Sequence, residues 1–302
     1  MTAGTGEPAS PPRAPLAPRL SGVEQRSVTH GEFWIPQAER DVYARALGAL
    51  NAAGLRYVVS GLYAIYEYTG IYRDTKDLDL FVEPGDVIRA AGILKDADFR
   101  VRLAEPHWLA KAMDGDCQVD FIFGMGNGLA LIDRSWWDHS RAGILAGVPV
   151  RVAPPEELLW HRLFVHERHR SDMADVLHLM LCRGDELRWD RILQRLQDHW
   201  RLLLVQVHLF DFVYPGHRTR IPRRVREELY ARAADEIDEP GDPDICQGTL
   251  FSRFSFAIDV NEWGFQDYRT AAVSATCELP VIQEIENSSV WDDRGHAEDE
   301  KD

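Results

Sequence analysis

Lys76-Asp77-Leu78-Asp79-Leu80-Phe81-Val82 decides how this chain is read. The segment alternates like a β-strand, yet it carries carboxylates where a buried sheet takes apolar residues. Successive side chains of a strand point to opposite faces, so Asp77 and Asp79 share one face and Leu78 and Leu80 the other. Two residues on one face sit about 6.6 Å apart at the backbone, from a rise of about 3.3 Å per residue. That spacing lets both carboxylates converge on a pair of divalent ions about 3.5–4 Å apart. Gln118-Val119-Asp120-Phe121-Ile122-Phe123, about forty residues further on, reads as a neighbouring strand and adds a third carboxylate, Asp120. Three like charges at one spot repel, and are tolerable where a cation is expected.

Helices and strands alternate around this segment. Gln37 to Ala53 has helical periodicity and ends at Gly54, a plausible C-terminal glycine. Arg56-Tyr57-Val58-Val59 reads as a strand, and Ser60-Gly61 as a turn into a short helix through Tyr68. Pro84 to Ala97 reads as a helix, with Phe99 to Leu103 and Gly147 to Val152 as further strands. After Pro154-Pro155 the pattern turns helical: Glu156 to Arg168, Asp172 to Cys182, Trp189 to Val213 and Arg223 to Ile237. Residues 244–278 mix signals and give no assignment. The expectation is therefore an α/β (α+β) chain: a mixed-sheet domain over 29–153, then a mainly helical domain over 154–283. Residues 1–28, rich in Pro, Ala, Gly and Ser, read as a disordered leader, and the acidic residues 284–302 as a disordered tail.

Val58-Val59-Ser60-Gly61-Leu62-Tyr63-Ala64, followed by Arg73-Asp74-Thr75-Lys76-Asp77-Leu78-Asp79-Leu80, resembles the nucleotidyltransferase superfamily. This polymerase-beta-like group includes aminoglycoside and lincosamide nucleotidyltransferases and abortive-infection toxin relatives. Its pattern is a strand, a Gly-Gly or Gly-Ser turn, a helix, and a second strand carrying Asp-x-Asp, with a third acid on a later strand. The resemblance covers roughly residues 37–180, because Pro155-Glu156-Glu157-Leu158-Leu159 and Ala174-Asp175 are similar to the start of the helical region in bacterial members. Two departures stand out. The turn is Ser-Gly, and His161 and Arg162 occupy the stretch where a lysine is usual.

The resemblance implies transfer of an NMP from an NTP, such as ATP, to a hydroxyl or phosphate acceptor. Asp77 and Asp79 would bridge two Mg²⁺ ions (Mn²⁺ being an alternative), and Asp120 would ligate the second ion or act as general base. Ser60 and the Gly61 amide, at a strand-to-helix turn, would take triphosphate oxygens, as helix N-termini do for anions. Arg73 and Lys76 would add positive charge. The acceptor stays open between a small molecule, a protein and tRNA. Two other readings stand beside this one: a catalytically inactive nucleotide-binding or interaction module, and a toxin-like transferase acting on tRNA. The second is motivated by Arg218, Arg220, Arg223, Arg224 and Arg226, although such a run more often means a solvated helix start.

Composition narrows the classes. The 302 residues are long enough for one large domain or two ordinary ones. The formal charge of −15 argues against bulk nucleic-acid binding. From Glu284 onward eight acids face Arg294 and Lys301, a net of −6, which leaves −9 on the remainder. Cysteines 117, 182, 246 and 277 show no paired spacing and read as reduced thiols. The first thirty residues lack an apolar signal core, and Leu202 to Val213 is too short to span a bilayer, so a cytoplasmic protein is expected. His161, His166, His169, Asp172, Asp175 and His178 read as polar helix faces rather than a second metal centre. Trp160, Trp189, Trp200, Phe210 and Phe212 read as core.

Overall fold

The computed structural model describes residues 32–167, 170–239 and 241–294. Its first part runs α1 (Gln37–Ala52), β1 (Val58–Val59), α2 (Gly61–Thr69), β2 (Asp77–Phe81), α3 (Val87–Asp96), β3 (Arg100–Glu105), β4 (Leu109–Asp114) and β5 (Cys117–Ile122). Next come α4 (Arg134–Asp138), β6 (Arg141–Leu145) and β7 (Val148–Val152). Helices then dominate: α5 (Pro155–Arg162), α6 (Met173–Arg183), α7 (Trp189–Leu196), α8 (Arg201–Val213) and α9 (Arg223–Asp235). The last stretch holds β8 (Ile245–Cys246), α10 (Ala257–Asn261), β9 (Gln266–Asp267), α11 (Tyr268–Cys277), α12 (Pro280–Asn287) and β10 (Asp293–Arg294).

Eight strands form one mixed sheet in the order β10-β3-β4-β5-β2-β1-β7-β6, and β8 pairs with β9 apart from it. β2 and β5 are central neighbours and run parallel, with β1 antiparallel to β2 on the other side. Their apolar faces are spent on the core: Leu78, Leu80, Val119 and Phe121 are fully buried. Burying one such side chain is worth about 1.5–3 kcal/mol, which is what fixes the register and forces the acids onto the opposite face. α1 and α3 pack together against β3, β4, β5 and β7, while α2 packs against β2, α5 and α6. Arg162 ends α5 close to the sheet, because His161 lays its ring edge-on against Phe81 of β2, 5.3 Å between centroids.

Several expectations need correction. β4 and β6 are strands beyond those expected, since Leu-Ala-Lys-Ala-Met-Asp and Arg-Ala-Gly-Ile-Leu lack the β-branched alternation that marks a strand. Both are completed by two-residue hairpin loops, Gly115-Asp116 and Ala146-Gly147, the second with positive φ at both positions. The single helix expected over 189–213 is broken at Gln197, whose φ is +45°. Phe212, expected in the core, is exposed. The acidic stretch from 284 is structured as far as residue 294. Ile282, Ile285 and Trp291 are buried and anchor it, and β10 adds to β3 in parallel. Net charge hid these apolar anchors. The leader 1–28 and residues 295–302 lie outside the described residues. No helix among the described residues is long and apolar enough to cross a membrane.

Candidate functional site

β2 and β5 pair so that Asp79 stands beside Asp120 and Asp77 beside Gln118. Alternation then puts Asp77, Asp79 and Asp120 on one face. One carboxylate oxygen from each lies within 4.8 Å of the other two. Gly61 opens α2 directly over this group at φ +59°, a conformation that favours glycine. A Cβ at Gly61 would run into the Asp79 carboxylate, with Cγ 2.9 Å away. Close backbone approach to an acid is therefore built into the turn. An all-oxygen donor set of this kind suits a hard divalent cation such as Mg²⁺ or Mn²⁺.

The electrostatics are lopsided. Asp120 is 6% exposed, and burial pushes its carboxyl up to about 8, with the Asp79 and Asp77 charges adding to the rise. Lys111, opposite Asp120 on β4, and a hydrogen bond of 2.7 Å from Gln118 Nε2 offset only part of this. Asp79 is pushed up to about 6, first by burial and then by Asp77, against the opposing pull of Arg162, Arg170 and Lys111. Asp77 accepts a hydrogen bond of 2.8 Å from Thr75 Oγ1, which fixes its side chain. Carboxylates that resist ionisation together are the signature of a site waiting for positive charge.

The other residues singled out from the sequence fall into two groups. Ser60 is buried at the start of α2, and its backbone N–H donates to Asp79 O at 2.9 Å, so that amide is already used. The Ser60 hydroxyl makes no capping bond to α2. Arg73 forks onto Asp175 of α6, at 2.6 and 2.7 Å, and Lys76 is exposed just before β2.

Lys111, Gln118, Thr75 and Arg170 surround the aspartates and carry no sequence signal of their own. Lys111 and Gln118 become visible only once the β4–β5–β2 register is known. Arg162 is buried and pairs with Asp172 and with Asp175, 3.3 Å from the latter. His161 is pushed down to about 4 by burial and by Arg162 and Arg170, so it is neutral at physiological pH and adds no positive charge.

Asp172 and Asp175 are thus ion-pair partners, and the acids and histidines over 161–178 gather no metal-ligand group among the described residues. Four arginines of the cluster are similarly engaged: Arg220 with Asp185, Arg223 with Glu227, Arg224 with Asp190 and Arg226 with Asp211. A cavity of about 760 Å³ lies elsewhere, lined by Trp160, Phe164, Arg195, His199 and Tyr268, and none of the three aspartates reaches it.

No family model matches the chain, and no curated protein matches it. Among solved structures it is similar to the antibiotic-resistance factor ANT(2'')-Ia in solution, with 17% identity and a TM-score of 0.37 over 67% of this chain and 96% of that one. It is similar to the lincosamide antibiotic adenylyltransferase LnuA with lincomycin bound, at 13% identity and a TM-score of 0.34, covering 49% of this chain and 98% of that one. A third likeness is to an antigenic nucleotidyltransferase-like protein from Paracoccidioides brasiliensis, at 15% identity and a TM-score of 0.34, over 56% of this chain and 91% of that one.

Proposed function

We propose that this chain is a metal-dependent nucleotidyltransferase that moves an NMP from an NTP to a hydroxyl or phosphate acceptor. The observation that carries this reading is the convergence of Asp77, Asp79 and Asp120 under a glycine whose missing Cβ leaves room for the Asp79 carboxylate. When bound, a pair of Mg²⁺ or Mn²⁺ ions supplies charge neutralisation at the triphosphate and a lowered pKa at the acceptor hydroxyl. Asp77 and Asp79 would hold that pair, with Asp120 as a third ligand. The acceptor oxygen would attack the α-phosphorus as the bond to pyrophosphate breaks, with Asp120 taking the acceptor's proton. The N-terminus of α2, where Ala64 N–H bonds back to Ser60 O at 3.2 Å, would offer its first-turn amides to the phosphates. The cytoplasm, with its NTP and Mg²⁺, is the compartment this chemistry suits.

Incubation with each α-labelled NTP and Mg²⁺, together with RNA, protein or small hydroxyl acceptors, tests the reading, alongside isothermal titration. Label on an acceptor is expected, and none with Asp77→Ala/Asp79→Ala. Wild-type protein that binds none of the four NTPs, or a double variant that binds them equally well, sinks it. The use of the Ser60 amide by Asp79 favours one second reading, a nucleotide-binding module without turnover, which would show binding and no label transfer.

A further inference from the structure

Three aspartates and an anionic nucleotide need a cation at the mouth of the site, and three arginines stand near enough to be considered. Two are spoken for. Arg162 is buried at the end of α5 between Asp172 and Asp175, and Arg73 forks onto Asp175. Arg170 differs. It closes the turn before α6, where its carbonyl accepts from Glu167 N–H at 2.7 Å and His166 bridges to Ser171. Its side chain is 63% exposed, and Nε and Nη2 reach Asp172 at 3.2 and 3.3 Å. Two of the five N–H donors of the guanidinium are used there, which leaves three.

Charge counting points the same way. Arg73, Arg162 and Arg170 face Asp172 and Asp175, so three positive charges meet two negative ones and the cluster keeps a surplus of one. That surplus lies with the exposed members, Arg170 at 63% and Arg73 at 45%, and of the two only Arg170 acts on Asp79. Asp172, which Arg170 holds, also holds Arg162 at the end of α5, whose neighbour His161 packs on Phe81 two residues beyond Asp79, and the charges of Arg170 and Asp79 stabilise one another. A planar fork with free donors, anchored on one side by a carboxylate and open on the other, matches phosphate oxygens.

We propose that Arg170 binds the phosphates of the incoming nucleotide, the role that buried Arg162 cannot reach. This rests on the nucleotidyltransferase reading. Isothermal titration in Mg²⁺ compares wild type, Arg170→Ala, Arg170→Gln and Arg223→Ala with the four NTPs and with inorganic tripolyphosphate. Arg223 is a fully comparable loss of one charge on remote α9. The tightest NTP and tripolyphosphate should both weaken about 10- to 100-fold on Arg170→Ala, with Arg223→Ala unchanged. Arg170→Gln keeps a hydrogen bond to Asp172 without the charge, and decides the matter if Arg170→Ala does not fold. A folded Arg170 variant that binds both probes like wild type overturns the inference, as does a loss confined to the NTP with tripolyphosphate unaffected. Wild-type protein that binds no NTP fails the parent reading instead, so the two failures are distinct.

Discussion

Asp120 and Asp172 are buried to nearly the same depth, 6% and 7% exposed, and their carboxyls shift in opposite directions. Asp120 rises to about 8, whereas Asp172 is held below the usual carboxylate range despite its burial. The neighbours make the difference. Asp172 meets the guanidinium groups of Arg162 and Arg170, while Asp120 meets Asp79 and Asp77, with Lys111 and Gln118 as partial relief. Glu157, fully buried, likewise meets a guanidinium, with Arg191 Nε 2.6 Å from Oε1. Among the described residues the other buried acids, Glu156, Glu157, Asp172 and Asp175, each hold an arginine, whereas Asp120 on β5 has Lys111 and Gln118 beside it.

Swapping each acid for its amide puts that contrast to work. Asp120→Asn is expected to lower label transfer by about 10²–10⁴-fold, the usual worth of a positioned general base. The same variant should melt higher than wild type without metal, since one member of a repelling trio is gone. Asp172→Asn should do the reverse to folding, costing about 3–5 kcal/mol in urea titration because buried Arg162 loses its main partner. If both variants destabilise equally, the two regions are not different in kind. Gly61→Ala comes next: about 1–3 kcal/mol from the positive φ, plus loss of Mg²⁺ binding through overlap with Asp79, read by calorimetry.

The smallest effect is in pH. Asp79 and Asp120 have raised folded pKa values, so between about pH 4 and about pH 8 the folded state keeps protons that the unfolded chain has lost. Their contribution to stability is therefore largest at low pH and declines as pH rises through that window. Asp172 has the opposite sign, contributing above its unfolded pKa and fading as pH falls through the depressed folded value. The metal-free protein should melt a few degrees lower at pH 8 than at pH 6. Added Mg²⁺ should restore more at pH 8, with proton release when bound at pH 6. A metal-induced shift that is flat with pH would break the assignment of the rise to the aspartates.

The acids were legible because they violate an otherwise apolar strand, and a violation within a regular pattern can be read locally. β2 and β5 announce themselves by alternation, and α1 by its period and Gly54. What surrounds the acids was not legible, because it depends on pairing between distant segments. Lys111 faces Asp120 only in the register of β4, a strand whose Ala, Lys and Met residues look helical. Arg73 and its partner Asp175 are 102 residues apart. The break at Gln197 has no glycine, proline or asparagine to mark it, so nothing local separates α7 from α8. The tail hides for the opposite reason: a real local signal, acidity, masks the apolar anchors Ile282 and Ile285 on α12 and Trp291 just before β10.

The pairing of β10 with β3 has a consequence for how the chain is made. Val101 N–H donates to Asp292 Oδ2 at 2.9 Å across a separation of 191 residues. On a ribosome adding about 5–20 residues per second, β3 therefore waits roughly 10–40 s for the strand that covers it. During that time the nascent sheet ends in an uncovered edge, the kind of surface on which strands of another chain can pair. Quality of synthesis, rather than stability of the finished fold, is where the last described residues matter most.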